Sequence, residues 1–157
     1  MKLYFKQRFF SWFDSYDIYY QDGSVAFTVE GKPSWGHKLN ILDYNGNHIA
    51  TLKQQVFTFL PKFDMYIGND VIGTIKKEFT FLKPVFTIVP FGWTVKGDFM
   101  AWDYEITDIN GGVIASLSKE LFKFTDTYTI DVYNAKDALF ALMVTLAIDA
   151  EKCSNNG

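Results

Sequence analysis

The residues with the strongest intrinsic chemistry in this 157-residue chain are few: two histidines, His37 and His48, and one cysteine, Cys153. A zinc site needs three or four such ligands at spacings that one turn or hairpin can gather. The histidines stand eleven residues apart on different expected strands and Cys153 lies in the C-terminal tail, so no transition-metal site is expected. A lone cysteine also rules out an intrachain disulfide, and the fold needs no oxidising compartment. Calcium fares no better, because Asp22-Gly23 and Asp108-Ile109-Asn110-Gly111 lack the alternating acidic loop with its closing glutamate. Nucleophilic catalysis requires a nucleophile beside a base, yet no G-x-S-x-G elbow occurs and neither histidine has a triad-like carboxylate neighbour. Carboxylates are plentiful, but Asp14, Asp17, Asp64, Asp98, Asp103, Asp126 and Asp131 recur in register with a repeat. That recurrence suits turns and strand ends better than a unique acid–base pair. Phosphate loops of the Walker or dinucleotide type are absent. The chain reads as a non-enzyme with no cofactor.

What remains is basic and aromatic. Lys53 and Lys76-Lys77 occupy matching, outward positions in two repeat units, and Lys2, Lys6 and Arg8 line an opening strand. If those strands were neighbours, the six cations would form a positive strip suited to anionic lipid head groups. The chain as a whole is not basic: 15 lysines and arginines face 18 acids, and Arg8 is the only arginine. Nucleic-acid binding, which draws on a basic excess and arginine forks, is therefore not expected. Aromatic residues are abundant, at 16 Phe, 9 Tyr and 4 Trp. They are expected in the core and at barrel corners, since aromatic side chains favour pleated, half-buried surfaces.

The elements that must position these groups follow from an internal repeat. Trp12, Trp35, Phe59, Phe81, Trp102 and Phe124 recur at spacings of 23, 24, 22, 21 and 22 residues. After most of them comes an apolar-polar-apolar triplet, such as Tyr16-Asp17-Ile18, Leu39-Asn40-Ile41 or Phe63-Asp64-Met65. That is the period of a strand with one buried face. Turn signals follow at Asp22-Gly23, Asn45-Gly46, Asn69-Asp70 and Asn110-Gly111-Gly112. The return strands also align without gaps, as Ile49-Ala50-Thr51-Leu52-Lys53, Ile72-Gly73-Thr74-Ile75-Lys76 and Ile114-Ala115-Ser116-Leu117-Ser118. Together with an opening strand near Leu3 to Phe9 this gives about twelve strands, and Pro33, Pro61, Pro84 and Pro90 fall at their ends.

After a plausible N-cap at Asn134, Ala138 to Ile148 form an apolar run with one threonine, followed by Asp149, Glu151 and Lys152. Eleven residues are too few to span a bilayer, so no transmembrane segment is expected. A helix apolar on every side must be surrounded, and the strands are its available surroundings. The small residues Ala50, Gly73 and Ala115 would make room for it. The fold expected is all-β with one helix: a closed twelve-stranded barrel around a buried hydrophobic C-terminal helix. It forms a single domain over residues 1–152, with a polar tail over 153–157. With its interior filled, such a barrel would hold no sizeable internal ligand pocket.

The barrel pattern, with Phe9-Phe10-Ser11-Trp12, Gly92-Trp93-Thr94-Val95-Lys96-Gly97-Asp98-Phe99, Trp102-Asp103-Tyr104-Glu105-Ile106 and Asp126-Thr127-Tyr128-Thr129-Ile130, resembles the LURP-one-related family over nearly the whole chain. The resemblance implies a tubby C-terminal-like fold related to the phospholipid scramblases. Tubby domains bind phosphoinositide head groups through basic surface residues. No matching motif surrounds the lysines of this chain, so those sites do not carry over one by one.

Two functional expectations follow. The first is a non-enzymatic interaction module that binds another protein, acts as a scaffold or self-associates. The second is peripheral binding of anionic phospholipid or phosphoinositide head groups through Lys2, Lys6, Arg8, Lys53, Lys76 and Lys77. A cytoplasmic location, or one peripheral to the membrane, suits either. The arginine-poor, acidic composition tips the balance towards the first.

Overall fold

The computed structural model describes residues 1–6, 15–121 and 126–155, with the side chains of 121, 126 and 153–155 left aside. Arg8, Asp14, the Phe9 to Trp12 motif and Phe124 lie outside the described residues.

Period-two alternation produces twelve strands: β1 (Lys2–Lys6), β2 (Ser15–Tyr19), β3 (Val25–Gly31), β4 (Lys38–Asp43), β5 (His48–Gln54), β6 (Lys62–Ile67), β7 (Asp70–Glu78), β8 (Val85–Val89), β9 (Trp93–Asp98), β10 (Asp103–Thr107), β11 (Val113–Leu121) and β12 (Asp126–Val132). All neighbours are antiparallel, and β12 returns to pair with β1 from Lys2↔Asp131 to Lys6↔Thr127, which closes the barrel. The remaining seam, between β1 and β2, is registered at Tyr4↔Tyr19 among the described residues.

The sequence repeat has a physical cause on the outer wall. In successive hairpins, a threonine pairs across to the polar residue at the centre of each triplet. Thr28 donates to Asp17 (2.7 Å), Thr51 to Asn40 (3.2 Å) and Thr74 to Asp64 (2.8 Å). A second set of carboxylates caps turns instead: Asp22, Asp43 and Asp108 each accept the backbone N–H two residues on. Of the acids that recur with the repeat, Asp17 and Asp64 are thus mid-strand acceptors, where turn and strand-end roles were expected, while Asp98 at the end of β9 takes the expected turn role and accepts from the Ala101 N–H.

Asn134 accepts from the Lys136 N–H and caps a short 3-10 turn, Ala135–Asp137, which leads directly into α1 (Ala138–Asn155). The helix runs beyond Lys152, so Cys153 to Asn155, expected in the polar tail, belong to it. Ala141 to Ile148 are all buried in the barrel interior, as the unbroken apolar run requires. Ala50, Gly73 and Ala115 face the same interior. A Cβ at Gly73 would sit 2.8 Å from the Met65 side chain and 3.1 Å from a backbone oxygen, so space there is already used. Gly97, in β9, meets a harder limit. Its φ is +146°, and a Cβ would lie 2.4 Å from the Asp103 carbonyl oxygen.

Aromatic rings close both ends of the filled interior. At the end where β8 turns into β9, Phe91 packs edge-on against Trp93 and Phe140. At the other end Trp102 lies 4.5 Å from Tyr128, with Phe5 stacked on Tyr128 and the Lys152 ammonium 4.1 Å above the Trp102 ring.

Near that second end, Asp149 is partly buried on α1. Desolvation raises its pKa from 3.8 to about 6, against an opposing pull from Lys152. The sign follows from proton binding. Between about pH 4 and 6 the folded chain holds this proton more tightly than the unfolded chain, so stability falls as pH rises and then levels off above 6. Asp149→Asn should therefore stabilise the protein at pH 7 by about 1–2 kcal/mol, the full shift being discounted for residual solvent contact. Thermal unfolding should show that gain at pH 7 and lose it near pH 4. An equal gain at both pH values would exclude this origin.

Candidate functional site

In an antiparallel meander, alternate connections lie at the same end. One end of this barrel therefore carries the turns 20–24, 44–47, 68–69, 90–92 and 108–112, and the other carries the loops 32–37, 55–61, 79–84 and 99–102. The two rims differ in chemistry. Asp22, Asp43, Asp70, Asp108 and Asp137 lie at or beside the turn rim, with Lys2 and Lys136 there as cations. Lys32, Lys38, Lys53, Lys62, Lys76 and Lys83 lie in the loops of the other rim or in the strand ends adjoining them, with Glu30, Asp64, Glu78, Asp98 and Asp103 there as acids.

The loop rim is also apolar where water should favour polarity. Phe57, Phe59, Phe81 and Leu82 are each more than nine-tenths exposed, Trp35 is 86% exposed, and Phe79 and Met100 are largely so. The turn rim also exposes apolar side chains, Tyr44, Val71, Ile109 and Tyr133 among them, but none exceeds nine-tenths exposure, and exposure of this kind is ordinary for a protein surface. Seven large apolar side chains on four consecutive loops are not. This corrects the expectation that the repeat aromatics pack in the core or at corners. Trp102 is buried, but Trp35, Phe59 and Phe81 are not, because α1 and the inward strand residues already fill the interior.

The six expected lysine and arginine positions do not form one strip. β1 lies four strands from β5 and six from β7, so Lys2 and Lys6 are remote from Lys53 and Lys76. Lys2 also stands at the opposite rim, beside Asp131. Arg8 falls outside the described residues. Lys77 faces inward, on the same side of β7 as Gly73 and Ile75, and forms a part-buried ion pair with Glu151 of α1. Lys53 and Lys76 do face outward, and they have partners that the sequence did not single out. Lys38 stands directly opposite Lys53, and Lys62 directly opposite Lys76. Like charges at facing positions repel, and none of these four forms a salt bridge among the described residues. By contrast, Lys32 pairs with Glu30 at 3.0 Å.

An open groove of about 600 Å³ lies beside these lysines, lined by Trp35, Lys53, the segment 54–57, Asp64 and Tyr66. Its upper lip is pinned. The His37 carbonyl accepts from the Gln54 N–H at 2.7 Å, and the His37 N–H donates to the Gln54 side chain. Gly36 has φ +76°, and a Cβ there would sit 3.2 Å from Val56 and 3.3 Å from the Gln54 carbonyl, so this approach needs glycine. Burial lowers the His37 pKa to about 4 and leaves the ring neutral near pH 7. Among the described residues no group of three or more His, Cys, Asp or Glu could hold a metal ion, and no helix is long and apolar enough to cross a membrane.

A family model described as LURP-one-related matches residues 1–149. The chain is also similar to the uncharacterized protein YxjI of Bacillus subtilis (strain 168), with 29% identity over 150 residues covering 95% of this chain and 92% of the relative. No solved structure matches it significantly.

Proposed function

The chain belongs to the LURP-one-related family, and since that membership describes a build and not an activity, we propose from its surface that it is a non-enzymatic peripheral protein whose loop rim settles on an anionic lipid surface. One observation carries the reading: large, nearly fully exposed apolar side chains project from the rim where unpaired lysines converge. Water penalises that combination and a lipid interface rewards it. Aromatic and aliphatic side chains gain by entering the head-group boundary, while each lysine near an anionic surface contributes about 1 kcal/mol. The acidic turn rim would face away from the membrane, so the charge distribution orients the barrel.

A protein partner or self-association through the same apolar side chains is the competing reading, and salt separates the two. Co-sedimentation with anionic vesicles, compared with neutral ones, should be strong at low salt and weaker at physiological salt. Lys53→Glu with Lys76→Glu reverses two unpaired charges and should weaken anionic vesicle binding by about a hundredfold. Absence of vesicle binding at either salt, with salt-insensitive association of the protein with itself, would replace the membrane reading with the protein one.

A further inference from the structure

The groove beside the rim has features that general attraction to a charged surface does not use. Lys53 and Asp64 occupy facing positions on β5 and β6 and both line the groove, yet they form no ion pair with each other. Opposite charges so placed ordinarily close on one another. Here the carboxylate is held elsewhere: Asp64 Oδ1 accepts from Gln55 Nε2 at 3.0 Å and from Thr74 Oγ1 at 2.8 Å. Those two bonds fix the carboxylate and leave Oδ2 without a protein donor among the described residues. Trp35, Phe57 and Tyr66 supply aromatic surface to the same groove. Its volume of about 600 Å³ falls in the range of small-molecule sites.

A separated cation and anion among aromatic rings complement a ligand with the same charges in reverse. We propose that this groove binds a zwitterionic ammonium–phosphate group of the phosphocholine or phosphoethanolamine type. Its ammonium lies against Asp64 and the aromatic rings, and its phosphate lies at Lys53. Cation–π attraction favours the ammonium, and a charge-assisted hydrogen bond holds the phosphate. The inference deepens the membrane reading, on which it rests for the lipid source of the group, by giving the rim a head-group preference in addition to its attraction to negative charge.

Titration of the whole chain with soluble phosphocholine needs no membrane, so it separates this inference from the reading beneath it. The readout is the Trp35 indole N–H in nitrogen-15 NMR spectra, identified by its loss in Trp35→Phe. A saturable shift is expected with phosphocholine, and none with inorganic phosphate or tetramethylammonium alone at the same concentration. Asp64→Asn and Lys53→Gln change exposed or half-buried wall positions, and each should weaken the phosphocholine response about tenfold. An unchanged response in Asp64→Asn, or an equal response to phosphate alone, would make the groove a simple anion site and overturn the proposal. No response to phosphocholine, with anionic vesicle binding intact, would overturn it while leaving the membrane reading standing. In a second arm, replacing part of the anionic lipid by a neutral diluent should lower vesicle binding more than replacing it by phosphatidylcholine or phosphatidylethanolamine. Equal losses would remove lipid as the source and leave a free metabolite of the same chemistry.

Discussion

Binding to anionic vesicles should fall about a thousandfold when Phe57, Phe59 and Phe81 are replaced together by serine, with thermal unfolding almost unchanged. The asymmetry follows from exposure. Phe57, Phe59 and Phe81 are more than nine-tenths exposed in the folded chain, so their removal takes little from the core. Full burial of a phenylalanine side chain is worth about 1.5–3 kcal/mol. Rings that enter only the head-group boundary gain the lower part of that range, which gives about 4 kcal/mol for three and the thousandfold factor. Vesicle co-sedimentation checks the loss, and calorimetry on the same sample checks the fold. A drop of many degrees in unfolding temperature would mean that these rings pack on something in solution, and the apolar rim would then be an internal surface.

The largest effect on stability should come from the centre of the plug. Leu142 is fully buried on α1, within the run Ala141 to Ile148 that the barrel encloses. Leu142→Ala removes buried methyl groups and leaves a cavity that a closed wall of strands cannot readily collapse around. A loss of about 2–5 kcal/mol is expected, placed towards the upper end by that rigidity. Leu142→Asp puts an unpaired charge into the same space and should prevent folding altogether. Denaturant unfolding reads the first, and recovery of folded protein reads the second. A cost below about 1 kcal/mol for the alanine variant would mean that the barrel holds its shape without close contact with the helix.

The plugged barrel was legible from sequence because every part of it repeats or shows a clear period. Ile49 to Leu52, Ile72 to Ile75 and Ile114 to Leu117 repeat a small inward residue two places before an aliphatic one. The uninterrupted apolar face from Ala138 to Ile148 leaves no surface position for that helix. Direction was harder. Lys76 and Lys77 are adjacent in a strand, so they must face opposite ways, and parity with Gly73 and Ile75 sends Lys77 inward. The partner that makes an inward lysine tolerable is Glu151, 74 residues away, and no local pattern announces it. Closure hid the lysine geography as well: the facing pairs Lys38 with Lys53 and Lys62 with Lys76 appear only once register is known. The exposed aromatics misled for a different reason. β-propensity describes rings on pleated, half-buried faces, whereas Trp35, Phe59 and Phe81 sit in connections above an interior already full.

The closure of β12 on β1 has a consequence for how the molecule is made. On the ribosome, β1 through β11 emerge first and can form hairpins in sequence, but the ring cannot shut until β12 arrives. The helix that fills it comes later still. Until β12 and α1 emerge, strands already paired would have an apolar inner surface with nothing to cover it. A chain stopped before Asp126 would lack both β12 and the helix and leave a sheet with its future interior open to water, a species suited to chaperones and proteases. Quality control of this fold therefore falls on the stretch of translation that delivers β12 and α1.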